Sequence, residues 1–489
     1  MMYGRKNELE YLEGLSKSNR SELLFIRGRR RVGKTEILRS FCQRDTSLRF
    51  YFMGYDDQSN KETLHRFAHL WDEFTHSTNL TNWKKDYLTW KNIFVEITKY
   101  IALRKKNICL VFDEIQWICK AQSGFLGALK EVWIDWEHSK KINIFLCGSS
   151  FRFFNLHTGG EKILRGLRTK GDLWIRPFTL KESHEYFFPN WDLLEVTFTY
   201  MLLGGIPYYL VQIDPQFGVI HAIHEALFTR SSIFLDEIEE ILRLDFNKSG
   251  KLSAFKILKV IGLFGASLED ISEKSSIPIS SAYDILEKLL LYDLIRIEKP
   301  THCKTGNKKN QAKYKINDFY LNTYFALIDP WKEKIKATNP NDSKGPILFS
   351  SLLNSSKGLY INNFSGKAFE EFIRYALINF YTENNPPGFI KKLKLQNYQY
   401  EISSYWSQQS QIDLVIEDHN DRVSRILEIK WINGAISIPT LFKQVEEKNF
   451  PLLPGYSRIN FLVLGKRNLK EKIQHSKFEE KILTIEDFV

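Results

Sequence analysis

The sequence predicts an α/β protein of several domains, and three observations carry that expectation. A chain of 489 residues is longer than one hydrophobic core supports and divides into roughly two to four domains. Over the first 180 positions, brief apolar runs alternate with longer amphipathic stretches, the pattern of a parallel sheet covered by helices on both faces. A similar alternation returns after position 363, beyond a polar segment.

In chain order, the strands expected first are Leu23–Ile26, Leu48–Met53, Ile108–Phe112, Ile142–Leu146 and Leu173–Ile175. From about 181 to 245 the pattern is helical. Residues 246–330 read as three helices, Leu252–Phe264, Leu268–Lys274 and Ser280–Tyr292, then two strands, Leu294–Glu298 and Lys313–Ile316, joined by a basic loop. The stretch 331–362, with NPNDSKGP at its centre, reads as a linker. Residues 363–489 read as helix, three strands, helix, and the strand Ile459–Leu464. The expected domains are thus 1–180, 181–245, 246–330 and 363–489.

Apolar residues make up 43% of the chain and charged residues 26%, a globular balance that leaves no room for dominant disorder. The net charge of +11 favours anionic partners such as nucleic acid, without bearing on fold. Five scattered cysteines, Cys42, Cys109, Cys119, Cys147 and Cys303, form no CxxC pair; this argues against a disulfide framework or a zinc site and suits a reducing, cytoplasmic setting. The N-terminus is charged and lacks an apolar signal core. Val196 to Ile213 carries no Asp, Glu, Lys or Arg, but Gly204, Gly205 and Pro207 interrupt it. Two buried helical pieces are expected there, not a membrane span.

The first chemical motif is GRRRVGKT, comprising Gly28, Arg29, Arg30, Arg31, Val32, Gly33, Lys34 and Thr35, with Glu36 opening the next helix. It follows a strand and precedes a helix, the setting a phosphate-binding P-loop requires. Glycines let main-chain N–H groups wrap a phosphate, and the helix presents its positive end to the same group. Lys34 is expected at the β- and γ-phosphates of ATP and the Thr35 hydroxyl on Mg2+.

A second motif completes the site. The apolar run Ile108–Phe112 ends in Asp113 and Glu114, and acids at a strand's carboxyl end lie where open α/β sheets bind ligands. Asp113 is expected to hold the magnesium through water and Glu114 to act as the catalytic base on the attacking water. The strand ending Leu146-Cys147-Gly148-Ser149-Ser150 offers Ser149 or Ser150 to sense the γ-phosphate or the water; a serine there also suits a helix N-cap.

With these motifs in view, residues 1–330 resemble the archaeal-type AAA-related P-loop ATPases. The resemblance rests on YGRKNEL at Tyr3–Leu9, GRRRVGKT, LVFDEIQWI, LCGSS and GGIPYYL at Gly204–Leu210. It implies an extra strand between those carrying the two motifs, Gly4 and Arg5 near the base or ribose, and closure of the GGIP segment over the nucleotide. It also implies a glycine–arginine pair before the last strand. Here that region reads Leu164-Arg165-Gly166-Leu167-Arg168-Thr169, with a leucine at one expected arginine, which leaves Arg168 as the candidate arginine finger or as a solvated arginine. Residues 246–330 look like a winged helix-turn-helix. Its wing would place Lys304, Lys308, Lys309 and Lys313 on DNA phosphates, although Ser280, Ser281 and Tyr283 on the third helix are not basic and such modules also bind proteins.

The C-terminal region carries Glu370 in a helix, Asp413 in a period-2 strand, and Glu428 and Lys430 two apart in ILEIKWI, hence on one strand face. Acids on adjacent strands with a lysine suit metal-dependent phosphodiester cleavage: Glu370, Asp413 and Glu428 as metal ligands, Lys430 as a catalytic residue. The order of elements with D…ExK resembles the PD-(D/E)xK nuclease superfamily, and Lys443 or Gln444 would complete that site. An exposed ion pair between Glu428 and Lys430 is the plainer reading. Together these readings predict an ATP- and Mg2+-dependent ATPase with a winged helix and a nuclease-like C-terminal domain. DNA is the expected partner, with a protein partner and self-association as further ones. The alternative is a nucleotide-dependent switch whose C-terminal domain is a non-catalytic adaptor.

Overall fold

The computed structural model describes residues 4–18, 20–46, 48–82, 88–104, 106–120, 123–139, 141–149, 153–154, 170–243, 246, 248–301, 312–337, 358–379, 388–395, 400–407, 409–432, 437–465, 473 and 478–489. The chain forms two compact units, Met1–Pro177 and Phe178–Val489.

The first unit is built on five parallel strands: β1 (Glu22–Gly28), β2 (Arg49–Met53), β3 (Ile108–Asp113), β4 (Ile142–Gly148) and β5 (Gly171–Ile175), ordered β2-β3-β4-β1-β5. β4 therefore separates β1, which leads into the phosphate loop, from β3, which ends in the acids. Side chains alternate between two cores, as the period of two demands. Leu23, Phe25, Leu110, Phe112, Ile144 and Leu146 face a core rich in aromatics, with Phe67, Trp71, Trp90 and Phe125 from the covering helices. Leu24, Ile26, Cys109, Val111, Phe145 and Cys147 face the other core, shared with Ile37, Leu38 and Phe41 of helix Lys34–Gln43. This parity places Asp113, two residues beyond Val111, on the face that carries the helix following the phosphate loop.

The second unit opens with helices Leu180–Phe187, Leu193–Leu203, Pro207–Leu210, Val219–Leu227 and Glu237–Arg243. The uncharged stretch from Val196 to Ile213 is two helical pieces, as its glycines imply. Gly204, at φ 66°, ends the first of them, and Gly205 lies so close to Phe178 that a Cβ would sit 1.8 Å from its carbonyl oxygen. The Phe178 amide donates to the Gly205 carbonyl at 2.7 Å. Gly205→Ala should therefore break this joint and cost at least about 1–3 kcal/mol, read as a lower urea midpoint; an unchanged midpoint would show that the backbone relaxes freely.

Helices Lys248–Ile261, Leu268–Ser275 and Ile279–Leu291 follow, then the antiparallel pair β6 (Ile295–Glu298) and β7 (Lys313–Ile316). Both ends of the stretch expected as a linker, 331–362, are helical. Lys332–Ala337 is helical and buries Ile335, and a helix runs from Gly358 to Asn379; residues 338–357 lie outside the described residues. The last sheet has the order β12-β11-β10-β9-β8, with β8 (Tyr400–Trp406), β9 (Gln411–Asp418), β10 (Val423–Trp431), β11 (Ser457–Gly465) and β12 (Ile482–Thr484). The β8–β9 and β9–β10 pairs are antiparallel, whereas the β10–β11 and β11–β12 pairs are parallel. The three-residue β12 is too short for periodicity to reveal. Among the described residues no helix is long and apolar enough to cross a membrane.

Candidate functional sites

The phosphate loop needs backbone that ordinary side chains resist. Gly33 has φ 93° and Arg31 φ 70°, both left-handed, and at Gly28 a Cβ would lie 2.4 Å from the Ile175 carbonyl oxygen. Lys34 is buried, and its ammonium donates to the carbonyls of Gly28 at 2.9 Å and Arg29 at 2.8 Å. Burial pulls its pKa down, against the attraction of Cys147, Glu114 and Asp113. Thr35 is half-buried and Glu36 exposed at the start of the same helix. Arg5, expected near the base, braces the loop from behind. Its guanidinium donates to the carbonyls of Val32 at 3.0 Å and Arg176 at 2.8 Å and pairs with Glu8 at 3.0 Å. Gly4, beside it, also has positive φ, at 58°.

Asp113 is fully buried, and its carboxylate accepts from the Tyr51 hydroxyl at 2.8 Å and from the Glu114 amide at 2.9 Å. Burial and the Asp113 charge push the Tyr51 phenol up, so it stays a donor. Glu114 sits at φ 48°, in the left-handed region, where the chain turns off the strand. One of its carboxylate oxygens accepts from the Ser149 hydroxyl at 3.1 Å and from the Gln116 amide. Ser149 thus touches the candidate base, whereas Ser150 and Arg168 lie outside the described residues. Sequence reasoning missed Tyr51 and Gln116. The signal for Tyr51 was its strand parity with the acids, and for Gln116 its place two residues after Glu114.

The second constellation assembles around β9 and β10. Leu414 pairs with Leu427, so the same antiparallel register sets Asp413 opposite Glu428 on one face. The Ile429 amide donates to Asp413 at 2.9 Å. Glu428, almost fully buried, pairs with Lys430 at 2.7 Å and also with Lys448. Glu370, on helix Gly358–Asn379, binds Lys367 through both oxygens, at 2.8 and 2.6 Å. Burial, then the Asp413 charge, push Glu370 up to about 7. Asp413 is raised by burial and by Glu428. Lys430 is raised too, because Asp413 and Glu428 outweigh its burial.

Lys443 and Gln444, assigned to this site from the sequence, are exposed, and Lys443 reaches Glu447 at 3.8 Å. Their helix, Ile438–Glu446, turns Ile438, Phe442 and Val445 inward, which leaves the intervening positions facing solvent; Lys448, just past its end, takes the place at Glu428. The set therefore combines three acids with three lysines. Among the described residues no group of three or more His, Cys, Asp or Glu side chains has the arrangement of a metal cage; Glu370 and Glu428 are ion-paired carboxylates, and Asp413 accepts from the Ile429 amide.

The β6–β7 hairpin is engaged by the same unit. The Thr301 amide donates to the Ser404 carbonyl of β8 at 3.0 Å, and the Lys313 ammonium lies 5.4 Å from the centre of the Trp406 ring. Lys304, Lys308 and Lys309 lie outside the described residues. On helix Ile279–Leu291, Ser280, Ser281, Tyr283, Asp284 and Glu287 are exposed.

Parts of the chain are similar to known proteins. Residues 351–448 match a family described as Archaea bacterial proteins of unknown function. An uncharacterized protein of Methanocaldococcus jannaschii is 24% identical over 438 residues, 88% of each chain. An uncharacterized ATP-binding protein of the same organism is 44% identical over 43 residues, 9% of this chain and 73% of that one. Among solved structures, the Aeropyrum pernix ORC2 protein in its ADPNP–ADP complexes aligns at 13% identity over 69% of this chain and 96% of its own, with a TM-score of 0.44. The Thermotoga maritima RuvB Holliday junction branch migration motor aligns at 11% over 62% and 92%, with a TM-score of 0.26. Residues 2–213 match the family described as an ATPase domain predominantly from Archaea, and the phosphate loop, Asp113 and Glu114 all lie in that span.

Proposed function

We propose that this chain is a magnesium-dependent ATPase whose nucleotide state governs a nucleic-acid-handling C-terminal module. The observation that carries the ATPase reading is the Glu114 carboxylate, held by Ser149 and Gln116 beside a buried Asp113 at the end of the strand. Thr35, in the first turn of the helix after the loop, and Asp113, at the end of its strand, are oxygen donors that suit a hard cation. Bound there, magnesium would neutralise charge on the β- and γ-phosphates. Lys34 exchanges its two loop carbonyls for phosphate oxygens, and the loop amides hold the triphosphate in line. Glu114 orients a water and accepts its proton, while Ser149 keeps the carboxylate aimed.

For the C-terminal module, the proposal is a PD-(D/E)xK-like shell preceded by a winged helix. Its support is the pairing of Asp413 and Glu428 on one face, with Lys430 on the second of them. A cation binding to these acids would compete with the three lysines, so cleavage would need them displaced. Labelled single- and double-stranded DNA, incubated in magnesium or manganese with and without ATP, tests this. Wild-type protein is expected to cleave, and Asp413→Ala and Lys430→Ala to lose cleavage by about 100-fold or more, with ATP hydrolysis retained. Absence of cut product in every condition would retire the nuclease reading.

A second reading, a switch that binds a protein partner, has its own support. The exposed face of helix Ile279–Leu291 offers Ile279 and Tyr283 with Asp284 and Glu287 beside one lysine, Lys288, a surface whose acids outnumber its base and that suits a protein better than phosphate. This reading expects ATP-dependent co-purification of a protein that Tyr283→Ala abolishes, and no effect of Asp413→Ala on nucleic acid.

A further inference from the structure

Helix Gly358–Asn379 presents two different faces. One carries Lys367 and Glu370, described above. The other carries Glu371, Arg374, Tyr375, Ile378 and Asn379, spaced as neighbours on one helical stripe, and it walls a cavity of about 320 Å³. The opposite wall comes from the hairpin and the segment after it: Arg296, Ile316, Asn317, Phe319 and Asn322.

The groups facing this cavity are unevenly satisfied. Glu371 is fully engaged: the Arg296 guanidinium donates to both its oxygens, at 2.8 and 2.6 Å, and Lys315 lies 3.6 Å away. Asp293 accepts from the Asn317 amide at 2.8 Å, and Asp318 caps the helix that starts at Phe319. Arg374 is different. Its side chain is only 14% exposed, and Nε and Nη1 donate no hydrogen bond to the protein. Its nearest acid is Glu298, at 3.8 Å, and that carboxylate already serves Lys315 and Ser404. Burial, then the Arg296 charge, lower the Arg374 pKa against the attraction of Glu298 and Glu371, and the only ion pair Arg374 makes among the described residues is the long one to Glu298. A buried guanidinium with two N–H groups left without hydrogen bonds is costly, and an oxyanion such as phosphate, two of whose oxygens accept from its fork of donors, is the ligand it fits best. Beside it, Phe319 and Tyr375 pack edge to face with ring centres 5.5 Å apart, giving an apolar wall, and Asn322 brings a side-chain amide.

We propose that this cavity is a phosphate-binding site, separate from the P-loop, in which Arg374 grips the phosphate of a small molecule and Phe319 and Tyr375 bound its non-phosphate part. The shared chemistry is the phosphate. Free phosphate and a mononucleotide are its two sources, and the test separates them.

Calorimetric titration of the full chain carrying Lys34→Ala, which disables the P-loop, would use inorganic phosphate, AMP and adenosine as probes. Phosphate or AMP should bind and adenosine should not; AMP binding more tightly than phosphate would identify a nucleotide as the source. Arg374→Gln should weaken binding roughly tenfold or more, whereas Arg374→Lys retains part of it. Ile378→Trp fills the cavity mouth from a half-exposed position without touching the ion pairs, and it should abolish binding even if Arg374→Gln folds poorly. Lack of any heat from phosphate and AMP at ~10 mM, or unchanged binding in Ile378→Trp, would overturn the proposal.

Discussion

Glu114→Gln should bind ATP with wild-type affinity and hydrolyse it about 10²- to 10⁴-fold more slowly, the range lost when a positioned general base is removed. The amide keeps the shape and still accepts from Ser149, but it cannot take the proton of the attacking water. Lys34→Ala should fail one step earlier. Its ammonium already occupies the mouth of the loop, on the carbonyls of Gly28 and Arg29, and hydrogen bonds to charged groups are worth about 1.5–3 kcal/mol. Nucleotide affinity should therefore fall by tenfold or more. Fluorescent-nucleotide titration and phosphate release measure the two steps separately. Wild-type turnover in Glu114→Gln would remove it as the base, and wild-type affinity in Lys34→Ala would undo the loop assignment.

Glu298→Ala should be among the most destabilising single changes in the second unit, costing about 3–5 kcal/mol, because it strands buried cations. Glu298 is 3% exposed and faces Lys315 at 2.5 Å, Arg296 at 3.6 Å and Arg374 at 3.8 Å. Burial alone would raise its pKa, but the three cations outweigh burial and hold it at about 2. A carboxylate depressed in the folded state adds stability that is present above its unfolded pKa, about 4.5, and is lost as pH falls towards 2. Urea midpoints of the second unit should fall across that window in the wild type and flatten in Glu298→Gln. An equal acid response in both proteins would assign the effect to other carboxylates.

The two candidate sites differ in how far the sequence reveals them. In the first unit, one loop supplies the phosphate cradle and one strand end supplies both acids, so local order is enough. Five strands were visible as apolar runs because a parallel sheet buries both faces. What the sequence could not show was the support: Tyr51 on Asp113 and Gln116 on Glu114 follow from strand order and from the left-handed turn at Glu114. In the C-terminal sheet, Asp413, Glu428 and Lys430 were legible as a period-2 pattern. Their lysine partners were less so. Lys448 replaces Lys443 and Gln444 because the intervening helix turns those two to solvent.

The hairpin shows the same division. Of the wing lysines expected on DNA phosphates, Lys304, Lys308 and Lys309 lie outside the described residues and Lys313 covers Trp406, while on the hairpin strands Arg296 and Lys315 pair with Glu298 and Glu371. Glu371 is 75 positions from Arg296 and 56 from Lys315, and no local pattern marks such pairs.

The sequence by itself determined the α/β class, the parallel ATPase sheet and the P-loop with its two acids, because each depends on short-range periodicity or adjacent residues. Only the tertiary structure decided which polar groups hold those acids, which lysines neutralise the C-terminal set, and that Arg374 is buried without a full partner. Such facts depend on contacts between segments far apart in the chain, where burial, not spacing, sets the energy of a charge.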